Sequence, residues 1–294
     1  MKPIVNDTVT RLRCLMLKKF FFILCCLALV NLALAQSGKL KQQEAEGDTL
    51  LNRQDYNGAL KVYAKILKAS KEKDQFYYSI VYKSAVSNYS VGHFDQALVQ
   101  LEEFIPAYPN VPQAHLLKAF IYREKGDADK QLVELEEAMK LQPGNPELMK
   151  WRAMLYLDKE KFDSAKADLK YLRSVQDDPE VETYLGFAYY NTDEKDSAMI
   201  SLNKAIELDA TYQPALLYAG SFALQEEAYD LALTYINLAL RLDSKNPSAW
   251  FYKGVALVEK EKLDEGCSCL AKSLRLGSDD AVDYLKEYCY GEEN

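Results

Sequence analysis

The stretch Tyr184-Leu185-Gly186-Phe187-Ala188-Tyr189, the turn Asn191-Thr192-Asp193-Glu194, and then Ala198, Leu202 and Ala205 decide the fold. A small residue, Gly186, stands in a first segment, and an aromatic, Tyr189, follows three residues later. After the polar turn, an Ala, a large apolar residue and a second Ala recur at spacings of four and three. Such spacings give each segment a helical apolar face. The pattern returns seven times in the 294 residues, from starts near Leu40, Tyr78, Pro112, Pro146, Pro179, Gln213 and Pro247, at intervals of 38, 34, 34, 33, 34 and 34. A fixed period of this length marks a solenoid of helix pairs. It takes up nearly all of the chain beyond the N-terminal region and leaves little room for a separate catalytic domain.

Working outward, Gly47, Ala85, Ala119, Ala153, Gly186, Gly220 and Gly254 recur at one point of the first helix, and Ala59, Ala97, Ala165, Ala198 and Ala232 at one point of the second. Small side chains at facing points let two helices approach closely while large neighbours fill the flanks. Asn145-Pro146, Asp178-Pro179 and Asn246-Pro247 each place a capping residue before a proline suited to the first helical position.

Together with Tyr122, Leu135 and Ala138 in the third copy, Tyr156, Phe162 and Leu169 in the fourth, Tyr229, Ile236 and Ala239 in the sixth and Trp250 in the seventh, these residues resemble the tetratricopeptide repeat family from about Leu40 to Gly277. The resemblance implies an all-α, right-handed α-solenoid of about seven helix-turn-helix units over 36–278. The remainder, 279–294, reads as a capping helix and tail, with Ala281, Tyr284, Leu285 and Tyr288 on its apolar face. The copies depart from the pattern at Glu46 and Leu50 in the first, which also carries extra residues in the polar run Ser70 to Gln75. Others are Ala128 and Gln131 in the third and Gly266 in the seventh. Irregular terminal copies are expected, because an end repeat has one neighbour.

Residues 1–35 read as a signal peptide region. Lys18-Lys19 precede the apolar run Phe20 to Val30, and Ala33-Leu34-Ala35 forms a small-x-small cleavage site before Gln36. The run is too short for a membrane span, and Asn31 interrupts it. Met1 to Leu15 is polar and charged, which points to Met16 as the true start. Cys25 lacks the preceding small residue of a lipoprotein anchor. These features predict an exported protein, periplasmic or extracellular, with no membrane insertion after signal removal.

The formal charge is −8; residues 1–35 carry five Lys or Arg against one Asp, which leaves −12 beyond them. That balance argues against nucleic acid and anionic membrane surfaces as partners. Of six cysteines, Cys267, Cys269 and Cys289 lie beyond the signal region. In an oxidising compartment a pair is expected, with free or buried thiols as the alternative. Cys267 and Cys269 lie two apart on one helix and point to different sides. The segment from Gly266-Cys267 through Lys272-Ser273, Leu276-Gly277 and Ala281 to Tyr288-Cys289 resembles an ending of exported bacterial tetratricopeptide repeat proteins, which implies a Cys267–Cys289 disulfide. Neither His93 nor His115 is near enough in sequence to complete a zinc site, so no metal or other cofactor is expected.

The exposed face of each first helix is the candidate binding surface. Trp151, Tyr184, Tyr218 and Tyr252 fall at equivalent points of four successive repeats. Met154, Phe187, Ser221 and Val255 stand one turn on, and Asp158, Asn191, Gln225 and Glu259 one turn further. Tyr82, Phe120 and Arg123 extend the stripe toward the N-terminus. Aromatics with polar tips suit recognition of a protein segment or of sugar rings; they can equally wedge between neighbouring helices. Lys150 stands without the further basic set and amides of a carboxylate clamp. His115 has no evident partner, His93 lies in a turn, and neither belongs to a nucleophile or metal pattern. The expectation is a non-catalytic interaction scaffold in a bacterial cell envelope, binding a protein or peptide in a concave aromatic groove, with homo-oligomerisation compatible. A glycan-binding or cell-wall-binding module is the alternative.

Overall fold

Residues sixteen apart bind the two helices of each repeat together. In the computed structural model, which describes residues 38–290, every described element is helical. The signal peptide, the start at Met16 and cleavage before Gln36 fall on residues outside the described ones. The chain divides between Leu141 and Gln142 into two units.

The first unit holds three helix pairs: α1 over 38–52 with α2 Tyr56–Ala69, α3 Gln75–Ser90 with α4 Phe94–Ala107, and α5 Pro112–Glu124 with α6 Ala128–Leu141. The second holds four pairs, α7 Pro146–Asp158 with α8 Phe162–Val175, α9 Pro179–Tyr190 with α10 Lys195–Leu208, α11 Gln213–Gln225 with α12 Tyr229–Leu242, and α13 Pro247–Glu259 with α14 Leu263–Arg275. It ends in α15 Ala281–Tyr284, which runs on as a π-helical turn, Leu285–Cys289. Within the second unit the first helices adjoin in series, α7 to α9, α9 to α11 and α11 to α13.

Tyr63, Leu101, Leu135, Leu169, Leu202, Ile236 and Leu270 stand sixteen residues after the seven small residues, and all are fully buried. Where the small residue is Gly, a methyl would collide: an added Cβ lies 2.8 Å from Leu202 Cγ at Gly186, 2.7 Å from Ile236 Cγ1 at Gly220 and 2.7 Å from Leu270 Cγ at Gly254. Gly266, the seventh-copy departure, has its own reason. A Cβ there would lie 2.7 Å from Val258 Cγ2, 2.9 Å from the Val258 nitrogen and 3.0 Å from the Gly254 carbonyl oxygen, so α14 meets the backbone of α13 at that crossing. In the first copy the large residue is Tyr63, whose hydroxyl donates to Asp48 Oδ1 at 2.8 Å. Burial, followed by that carboxylate, pushes its phenol well above the usual range.

Each pair closes through one turn geometry. Gln54, Gly92, Gly126, Glu160, Asp193, Glu227 and Glu261 all have φ between 55° and 80°. The next residue donates its N–H back five positions, as from His93 to Asn88 (2.8 Å), Lys161 to Tyr156 (2.7 Å) and Ala228 to Ala223 (2.8 Å). The left-handed residue itself donates back three positions, as from Glu227 to Leu224 at 3.1 Å. This is the Schellman arrangement, which satisfies carbonyls orphaned at the helix end. The residue after it already occupies the N-cap of the second helix, so the reversal is very short.

The expected caps form. Asn145 accepts from the N–H groups of Glu147 and Leu148, Asp178 from Glu180, and Asn246 from Ala249. His115 requires a correction: its Nδ1 lies 2.7 Å from Glu134 Oε2, and the other Glu134 oxygen pairs with Lys118. Glu134 sits on α6, nineteen residues on, where pair geometry brings it across from α5. At the C-terminus, Ala281 and Leu285 bury against Val258 and Leu270. Cys267 and Cys289 are bonded, with Cα atoms 5.7 Å apart. Cys269 is a buried thiol, its pKa pushed up chiefly by burial.

Candidate functional site

The second unit carries the aromatic stripe on α7, α9, α11 and α13. Trp151, Tyr184, Tyr218 and Tyr252 are each half-buried, at one register of four adjoining helices. Tyr184, Tyr218 and Tyr252 form one electrostatic neighbourhood. Burial first, then the carboxylate of Glu180 and the phenols of Tyr212 and Tyr218, push Tyr184 up to about 12. Tyr252 is raised by burial, then by Asp280 and Tyr218, and Tyr218 by burial. These phenols stay neutral hydrogen-bonding groups through the physiological range.

An ion-paired cluster anchors one end of the stripe. Lys150 Nζ lies 2.7 Å from Asp178 Oδ2 and 2.8 Å from Glu180 Oε2, while the Tyr184 hydroxyl donates to Glu180 Oε1 at 3.2 Å. Burial alone would lower Lys150, but its two carboxylates outweigh that and hold it at about 12. The Asp178 carboxyl lies below its usual range: burial opposes ionisation, and Lys150 with the Glu180 backbone N–H overcomes it. Asp178 also caps α9, so one side chain both starts that helix and fixes Lys150.

The line one turn further on is mostly interior. Phe187 lies between Phe162 (ring centroids 6.0 Å apart) and Tyr218 (5.2 Å). Ser221 and Val255 are buried, and Met154 is 36% exposed. Tyr190 and Phe222 stack at 3.8 Å with their planes 4° apart, a contact between repeats that the stripe pattern did not single out. The third line, Asp158, Asn191, Gln225 and Glu259, is exposed throughout. Asn191 donates to the Phe187 carbonyl at 2.8 Å and so closes its own helix. The stripe's outward chemistry is therefore phenol edges and one indole, bordered by exposed carboxylates at Glu147, Asp158 and Glu259.

The remaining expected residues lie in the first unit. Tyr82 rests on Phe104 at 5.1 Å. Phe120 stacks on Tyr89 at 6.4 Å and carries the Arg123 guanidinium 5.3 Å from its ring centroid. Sequence spacing did not find the Lys150, Asp178 and Glu180 cluster. Its signal was a lysine at the fifth position of one first helix with acids at the capping and second positions of the next. Among the described residues no group of His, Cys, Asp and Glu could hold a metal ion, and no helix is long and apolar enough to cross a membrane.

Charge separates along the chain. Residues 142–294 carry 28 Asp or Glu against 17 Lys or Arg, whereas residues 36–141 carry 15 against 14.

Tetratricopeptide repeat profiles match residues 82–146 and 185–212. The C-terminal part of a tetratricopeptide repeat-containing protein from Cytophaga hutchinsonii is similar, with a TM-score of 0.64 and 20% identity, over 82% of this chain and 99% of that one. A tetratricopeptide repeat protein from Parabacteroides merdae matches with a TM-score of 0.64 and 12% identity, over 84% and 97%. The Cut9–Hcn1 hetero-tetramer of the APC/C matches with a TM-score of 0.57 and 16% identity, over 84% of this chain and 55% of that one. At these identities the likeness is one of fold. No curated protein matches the chain in sequence.

Proposed function

Because this chain is a tetratricopeptide repeat protein, a fold that serves in general as a protein-interaction scaffold, we propose that it is an exported, non-catalytic scaffold of a bacterial cell envelope. Its second unit would hold an extended or helical segment of a partner protein against α7, α9, α11 and α13. The observation that carries this reading is the continuity of the stripe, in which Trp151, Tyr184, Tyr218 and Tyr252 stand half-buried at one register of four serially adjoining helices. Aromatics with polar tips give large contact area at low entropic cost, which suits protein interfaces. The apolar run at Phe20 to Val30 and the Ala33-Leu34-Ala35 site support export.

Sugar rings stack on open, flat aromatic faces. Tyr218 instead rests on Phe187 and Phe222, at 5.2 and 5.8 Å, so the geometry favours a protein segment over a glycan. The test is affinity capture from envelope extract with the wild type beside Trp151→Ala/Tyr184→Ala, after circular dichroism and melting confirm that the variant is folded. Loss of a captured protein in the folded variant is the expected result. Equal capture by both would move the site off this stripe.

A further inference from the structure

The candidate face has a sign. Three exposed carboxylates border the stripe: Glu147 at the start of α7, Asp158 at its end and Glu259 at the end of α13. The lysine on this face, Lys150, is tied to Asp178 and Glu180 within the repeat stack. The phenol hydroxyl of Tyr184 is directed to Glu180, so its oxygen leans toward negative charge. The surrounding sequence, 142–294, carries a formal charge of −11, against −1 for 36–141. Aromatic faces attract cations through the ring quadrupole, most strongly at Trp and then at Tyr and Phe. A groove walled by rings and edged by carboxylates of one sign concentrates field lines and favours a ligand of the opposite sign.

We propose that the segment held on the α7–α9–α11–α13 face is basic: a partner strand whose Lys or Arg side chains lie along Trp151, Tyr184, Tyr218 and Tyr252 and reach Asp158 and Glu259 at the border. This rests on the reading of the stripe as a protein-binding face and adds the chemistry of what it binds. Acidic tails are disfavoured here by the same arithmetic: they would face carboxylates, with Lys150 already neutralised. A cationic segment gains both ring contacts and border charges.

The experiment is selection from an unbiased random-peptide library on the purified full chain, with Tyr184→Ala/Tyr218→Ala as the counter-target. The expected result is enrichment of peptides rich in Lys and Arg and poor in Asp and Glu. The best of these, made as a labelled synthetic peptide, should bind the wild type with an affinity that falls as salt rises. Asp158→Asn/Glu259→Gln should weaken it by about three- to tenfold, in keeping with two exposed charge pairs. The matched control is Asp177→Asn/Glu207→Gln, two exposed carboxylates lining a separate pocket with Arg173; it should leave affinity unchanged. Equal loss in the control would reduce the effect to overall charge and overturn the proposal. Selected peptides that are neutral or acidic would overturn it while leaving the stripe as a protein-binding face. Failure to select any peptide over the counter-target would remove the binding face itself, and the charge rule with it.

Discussion

At the scale of single residues, the structure turns on how little space separates paired helices. Gly220→Ala places a methyl 2.7 Å from Ile236 Cγ1, a side chain that is fully buried. Overpacking of this kind costs about 1–3 kcal/mol, and chemical denaturation should register it. Alanine already serves at the same register in Ala85, Ala119 and Ala153, so the penalty is local to the glycine repeats. Titration offers a second check. Tyr184, held at about 12, has a folded pKa above its ordinary value of about 10. Its contribution is therefore complete below pH 10 and fades as pH rises through the folded value. Tyr184→Phe should remove one late-titrating phenol from the ultraviolet difference spectrum at alkaline pH.

Asp178 works in the opposite direction. Its carboxyl is depressed by Lys150 and the Glu180 backbone N–H, so it stabilises the protein above the unfolded value of about 3.9 and loses that effect as pH falls through the folded one. Melting temperature measured below about pH 4 should fall more steeply for the wild type than for Asp178→Asn, which keeps a capping oxygen.

At the scale of elements, the recurring left-handed residue is a place where the chain has not taken its most stable option. Gly92 and Gly126 fill it in the second and third repeats, whereas Glu160, Asp193, Glu227 and Glu261 fill it later. A side chain there costs roughly 1–2 kcal/mol relative to the ordinary backbone basin, partly offset because glycine loses more freedom on folding. Glu227→Gly should raise stability by about 0.5–1 kcal/mol, and Gly126→Ala should lower it; thermal melts of the two variants check both signs. The final helix is held differently, by Ala281 and Leu285 in the core and by the bond between Cys267 and Cys289, 22 residues apart. Cys289→Ala should release the end of the chain, with a loss of about 3 kcal/mol by loop-closure entropy. Faster amide exchange confined to α15 and the turn after it would show this.

Elements were largely legible in the sequence because each carries its own local signal: Asn145-Pro146 caps and starts α7, Asp178-Pro179 starts α9, and the small residues mark where pairs cross. The site was legible only in part. The register of Trp151, Tyr184, Tyr218 and Tyr252 follows from the period. The burial of Phe187 between Phe162 and Tyr218 depends on how adjacent repeats meet, which a one-dimensional pattern does not carry. His115 shows the same limit. Its partner Glu134 lies in the opposite helix, and a pairing between helices leaves no spacing of three or four to read.

At the scale of the whole molecule, acidity is concentrated in 142–294. Self-repulsion of a highly charged surface opposes compaction and is screened by salt. Unfolding of the full chain should therefore occur at higher denaturant when sodium chloride is raised, and neutralising exposed acids in 142–294 should reduce that dependence more than the same number of changes in 36–141.

The serial adjacency of α7, α9, α11 and α13 also acts as a ruler. Packed helix axes lie about 8–10 Å apart, so four first helices span roughly 24–30 Å between the outermost axes. An extended strand advances about 3.3 Å per residue, which makes the footprint roughly seven to nine residues, with one aromatic rung for about every third residue of the ligand. Such a periodicity means that the face would measure its target as well as read its charge. Shortening a bound strand by three residues should forfeit a single rung, and affinity should fall in steps with ligand length.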